Sequence, residues 1–221
     1  MPLLGRKRDA MDAARGEECA RALRILTLGV TCPDAELAAM VADSTLGHAM
    51  TETADELGLL WERSACSTWF DGADAQNATS LLRREYTRLF SDPSGAAVPP
   101  WETAFLDPRG ERSEFGPQLV RTAAADDARR FYRSCGWDLA SNEAADHMRI
   151  ELEFAASLLH CDDEEAAVDA GRMFDRFWDA HLSRWMRPFF ERVAQEARHG
   201  FYGDIGRFGM EVGAALGQGV Q

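Results

Sequence analysis

Alternating polar and apolar β-branched residues, the mark of a half-buried strand, are almost absent from the sequence. Apolar residues recur instead at spacings of three and four. A sheet is thereby excluded and an all-α fold expected. The sequence also has no G-x-G-x-x-G, G-x-x-x-x-G-K-[ST], G-x-S-x-G or H-E-x-x-H motif, which leaves out the common phosphate cradles, the nucleophile elbow and the zinc-protease helix. A di-iron bundle takes two inward E-x-x-H pairs, and only Glu196 to His199 has that spacing. The five cysteines, Cys19, Cys32, Cys66, Cys135 and Cys161, form no C-x-x-C pair. They read as reduced, mostly buried thiols of a cytoplasmic protein and not as a disulfide frame or zinc site. No run approaches the roughly 18 apolar residues that span a bilayer, and Arg6, Lys7 and Arg8 lead into Asp9 and not into an apolar signal core. Neither membrane insertion nor export is expected.

What is present suits one helical domain. With 46% hydrophobic content in 221 residues, a sizeable core can be buried. Acidic residues outnumber basic ones 37 to 24, a net charge of −13, and every basic side chain except Lys7 is arginine. That field repels nucleic acid and anionic lipid and attracts a cationic peptide; it also serves solubility alone.

The periodicity predicts a first helix ending near Val30 and a second opened by Pro33-Asp34. A third is predicted over about 53–69, and a fourth, capped by Thr79 or Ser80, carries Leu82, Tyr86, Leu89 and Phe90 on one face. The segment 91–116, rich in proline and glycine around a short apolar island from Trp101 to Leu106, is either a hinge between an N-terminal lobe (9–90) and a C-terminal lobe (117–217) or a merely variable connection. Beyond it, Val120, Ala124, Phe131 and Cys135 are placed on one face. A helix beginning near Asn142 carries two apolar stripes, Met148, Leu152, Ala155, Leu159 and Ile150, Phe154, Leu158, which suits the middle of a bundle. The aromatic stretch from Phe174 to Phe190 is expected to bend or restart near Pro188, and a last helix uses Ile205, Phe208, Val212 and Leu216.

Two polar clusters are candidates for chemistry. In His160-Cys161-Asp162-Asp163-Glu164-Glu165, neighbours on a helix point apart, so the stretch reads as a solvated junction with Asp162 or Asp163 as a cap. In the second, Glu143 and Asp146 suit the first turn of a helix, while His147 and Glu151, four apart, carry polar groups into an apolar stripe. Taken on the residues alone, this is a capped helix start or the acidic part of a site.

Tyr86-Thr87-Arg88-Leu89-Phe90 and Glu143-x-x-Asp146-His147 resemble, in order and separation, the two motifs of the TorD/DmsD-type chaperones of molybdoenzymes. Pro99-Pro100-Trp101-Glu102 is similar to the loop between those motifs. Glu151-x-Glu153-Phe154, His181-Leu182-x-x-Trp185 and Phe201-Tyr202 extend the likeness from about Arg21 to the last helix. Ala144 stands where that family usually has proline.

The resemblance implies a cytoplasmic, non-enzymatic chaperone with a TorD-like helical bundle, a monomer or domain-swapped dimer, needing neither cofactor nor metal. Its partners would be the twin-arginine leader peptide and the precursor of a molybdopterin-containing oxidoreductase, held back from export until folding and cofactor insertion are complete. Glu143, Asp146 and Glu151 are then expected to engage the arginines, Tyr86, Leu89, Phe90 and Trp101 the apolar part of the leader, and His147 to position Asp146. The alternative is a small metal-dependent hydrolase built on Asp146, His147 and Glu151.

Overall fold

The computed structural model describes residues 13–61, 69–70, 77–106, 122–139, 144–160 and 164–218. Among them every regular element is helical: α1 (Ala13–Gly29), α2 (Ala35–Ala42), α3 (Thr45–Leu57), α4 (Ala78–Tyr86), α5 (Glu102–Leu106), α6 (Ala123–Ser134), α7 (Met148–Leu159), α8 (Glu164–Phe177), α9 (Ser183–Glu196) and α10 (Gly200–Gln218). Two π turns interrupt the series, Thr87–Ser91 after α4 and Trp178–Leu182 between α8 and α9. No helix among the described residues is long and apolar enough to cross a membrane.

Helix α7 is the central element. Both of its apolar stripes are buried, from Met148 and Ile150 to Leu158 and Leu159, and so is Glu151. α1 packs along one side of it and α8 along another. Apolar residues from α1 through α10 form one continuous core.

Several boundaries depart from the periodicity, each for a local reason. α2 starts where expected because the Asp34 carboxylate accepts the Leu37 N–H at 2.8 Å. α3 begins at Thr45, earlier than its apolar pattern suggests, and stops at Leu57 because Gly58 adopts a left-handed conformation, φ 66°. Asn77, and not Thr79 or Ser80, precedes α4. The inward face of α6 is Ala125, Ala128 and Tyr132, one position round from the predicted face; Cys135 is exposed and Val120 lies outside the described residues. Of the cysteines described, Cys19 is buried while Cys32 and Cys135 are exposed; Cys66 and Cys161 lie outside the described residues, as do Asp162 and Asp163. α9 runs unbroken through Pro188, held by the buried stripe Trp185, Met186, Phe189, Phe190 and Val193. The change of register comes earlier, at the π turn 178–182.

The tightest helix pair is α9 against α10. Gly203, Gly206, Gly209 and Gly213 lie on the buried face of α10. A Cβ at Gly206 would sit 2.7 Å from the Ala194 Cα, and one at Gly209 would overlap the Phe190 ring. At Gly213 the nearest atom would be the Arg187 Cβ at 3.5 Å, an ordinary contact. Gly209→Ala is therefore expected to destabilise the protein by about 1–3 kcal/mol through overpacking. Gly213→Ala should be neutral or slightly stabilising, from helix propensity. Urea unfolding of the two variants measures the difference, and equal midpoints would contradict the packing described.

Candidate functional site

The two motif regions meet through aromatic packing and backbone pairing. Within the first π turn, Leu89 and Phe90 point into the core and Tyr86 remains half-buried. The Phe90 ring packs against Tyr86 (centroids 5.3 Å apart), Tyr202 and Phe189 (both 6.0 Å). Phe189 in turn meets Phe105 of α5 at 5.8 Å and Trp185 at 5.4 Å. The chain after the π turn doubles back on it, with the Ala97 and Val98 N–H groups donating to the Arg88 and Leu89 carbonyls at 3.2 and 2.8 Å. From there Pro99 and Pro100 carry it to Trp101.

Trp101 and His147 form an isolated antiparallel bridge. The Glu102 N–H donates to the Asp146 carbonyl and the Met148 N–H to the Pro100 carbonyl, each at 2.8 Å. The two rings cross edge to face, 5.7 Å between centroids. Asp146 precedes α7 instead of lying in its first turn, and its side chain serves α5. Oδ2 accepts from the Thr103 N–H (3.3 Å), the Thr103 hydroxyl (2.8 Å) and the Thr122 hydroxyl (3.4 Å). His147 caps α7, its Nδ1 accepting the Arg149 N–H at 3.1 Å.

Deeper in, three side chains from separate elements converge. Ligating atoms of Glu102, Glu151 and His181 lie within 4.8 Å of one another, and all three residues are buried. Glu102 is held from both sides: His181 Nδ1 lies 2.8 Å from Oε2 and Arg184 Nη1 3.3 Å from Oε1. His181 Nε2 faces Asp127 Oδ2 at 3.4 Å. Glu151 accepts the Trp185 indole N–H on Oε2 at 3.0 Å, while Oε1 has no hydrogen-bond partner. Burial pushes the Glu151 carboxyl well above the ordinary carboxylate range, and the nearby charge of Glu102 adds to the effect.

The predicted residues thus divide. Tyr86 and Trp101 are half-buried with surface still exposed; Leu89, Phe90, Asp146, His147 and Glu151 are buried; Glu143 lies outside the described residues. Glu151 belongs with Glu102 and His181 and not with Asp146 and His147, so the donor set of the hydrolase alternative is not assembled as one group. Sequence reasoning missed Glu102 and His181 as partners. Their type stood in the motifs, but 79 residues separate them and no spacing rule spans that distance.

Residues 43–191 match the sequence profile described as nitrate reductase delta subunit. Among solved structures, a candidate redox enzyme maturation protein from Archaeoglobus fulgidus shares 20% identity over 95% of each chain, with a TM-score of 0.51; a likeness at that identity speaks to the fold. No functionally curated protein matches the sequence significantly.

Two variants probe the seam. Asp146→Ala removes the acceptor of three donors that tie α5 to the start of α7. It should cost about 1.5–3 kcal/mol in urea unfolding, as for a hydrogen-bonded charge; an unchanged midpoint would show that the carboxylate does not hold α5. For Glu151 the folded-state value is raised, so the stability it contributes is complete below the unfolded value of 4.5 and is lost as pH rises toward the folded one. With EDTA present, the wild-type Tm should fall between pH 5 and pH 8 more steeply than that of Glu151→Gln, which cannot ionise. Parallel curves would remove Glu151 as the cause.

Proposed function

Because the chain belongs to the nitrate reductase delta subunit family, matched over residues 43–191, and has a fold like that of a candidate redox enzyme maturation protein, we propose that it is a cytoplasmic maturation chaperone for a molybdoenzyme. On this reading it binds the twin-arginine leader of the catalytic subunit and delays export until folding and cofactor insertion are complete. The observation that carries the reading is the junction of the two motif regions: the bridge between Trp101 and His147 and the rings from Tyr86 through Phe90 and Phe189 to Phe105 put both motifs on one rigid framework.

On that framework we propose different roles for the residues. Tyr86 and Trp101, which keep surface exposed, take the apolar stretch of the leader. Leu89 and Phe90 lie behind them and fix the π turn. Asp146 and His147 are positioning residues that hold the Pro99–Glu102 segment against α7, and Glu151 fixes the Trp185 indole behind it. Glu143, next in sequence to that junction, receives a leader arginine, and the net charge of −13 draws the cationic head inward.

Calorimetry with a synthetic twin-arginine leader peptide tests the proposal on the full chain. One peptide per chain is expected, with binding weakened about tenfold or more, about 1.4 kcal/mol, in Tyr86→Ala, Trp101→Ala and Glu143→Gln, each keeping its far-ultraviolet circular dichroism. Replacing the arginine pair by lysines should also weaken it, since an ammonium loses the forked geometry. No binding of the wild-type chain, or equal binding by all three variants, would overturn the reading.

A further inference from the structure

We propose that Glu102, Glu151 and His181 form a buried structural site for a divalent transition-metal ion of the Zn2+ or Mn2+ type, clamping α5, α7 and the π turn before α9 together. Two carboxylate oxygens and one imidazole nitrogen are the donor set that such borderline ions take. Their ligating atoms lie within 4.8 Å of one another, so modest side-chain rotation brings all three to one centre. The 2.8 Å separation of Glu102 Oε2 and His181 Nδ1 is that of a hydrogen bond, and an ion between them would take the place of its proton and hold the two atoms slightly further apart, about 3.3 Å in tetrahedral geometry.

The independent observation is the second oxygen of Glu151. The residue is wholly buried, Oε2 is occupied by Trp185, and Oε1 has no partner. A carboxyl proton on Oε1 would have no acceptor, and a bare charge there would face the carboxylate of Glu102, so neither protonation state is satisfied by protein groups. A cation satisfies it. The Trp185 N–H on Oε2 also orients the carboxylate, as second partners of metal ligands do.

An ion can reach the site. Arg184, whose side chain is 58% exposed, and Asp127, 41% exposed, flank Glu102 and His181 on the solvent side. Among the described residues, the carboxylates of Glu102, Glu151 and Asp127 outnumber the two guanidiniums in contact with them, Arg184 on Glu102 and Arg130 on Asp127, so positive charge is attracted. The site has a structural character, since its ligands come from three elements and have no open face for a substrate. The inference stands apart from leader binding and requires no peptide to test.

The full-length chain, stripped with chelator and dialysed against Zn2+ or Mn2+, should retain one equivalent of ion by elemental analysis. It should melt at a higher Tm with the ion than with EDTA. Glu151→Gln should bind about 100-fold more weakly, with unchanged circular dichroism. Co2+ loaded in place of Zn2+ should give a spectrum without sulfur-to-cobalt charge transfer, which sets this site apart from binding at the cysteines. Substoichiometric uptake of both ions, a Tm that does not respond to them in the wild-type chain, undiminished binding by a folded Glu151→Gln variant, or a thiolate spectrum would each overturn the proposal. If Glu151→Gln fails to fold, the wild-type uptake and melting decide the question.

Discussion

The site depends on two backbone hydrogen bonds, Glu102 N–H to the Asp146 carbonyl and Met148 N–H to the Pro100 carbonyl. Pro99 and Pro100 have no N–H groups to donate across a backbone pairing, so the segment is fixed through the Pro100 carbonyl and the Glu102 N–H. It pairs with the turn ahead of α7, and the Asp146 carboxylate then caps the short helix that follows. Residue 102 is thereby delivered into the interior, and a glutamate that composition would place in solvent becomes the centre of a buried polar group.

Burying carboxylates is costly unless each lone pair finds a donor or a cation. Asp146 is satisfied by backbone and threonine groups, and Glu102 by His181 and Arg184. Glu85, elsewhere in the bundle, is held below the ordinary range against the effect of burial by the Arg88 guanidinium and the Arg198 N–H. Glu151 alone of these is half-satisfied, and its pKa moves the opposite way. Within this cluster the unmet demand thus falls on Glu151 Oε1 and on His181 Nε2, which has no hydrogen-bond partner either.

Much of this was legible in the sequence. The double stripe of α7 announced a central helix, because a helix apolar on nearly all sides has nowhere else to lie. The two motifs, read in order, pointed to the family that the profile match upholds. What periodicity could not supply were contacts set by chain reversal: the short helix α5 inside a proline-rich stretch, the role of Asp146 as its cap, and the meeting of Glu102 with His181. The early start of α3 and the unbroken passage of α9 through Pro188 were hidden for a related reason, since tertiary burial decided them over local signals. One available signal was the spacing of glycines at 203, 206, 209 and 213, which marks the face on which α10 approaches α9.

The burial of these acids also limits how a cationic leader can be held. Glu102 already has a guanidinium, that of Arg184, reaching it from the solvent side. An arginine from a peptide would have to displace it and would gain only the difference between two similar contacts. Asp146 would have to give up the cap of α5 before it could accept anything new. Substituting one satisfied pairing for another contributes little net free energy, so specific affinity must come from surfaces that are free to lose water. Tyr86 and Trp101 retain such surface, and the long-range attraction of an acidic chain needs no desolvated pair. On the proposed reading the buried acids therefore act on recognition through geometry, by fixing where Trp101 stands relative to Tyr86.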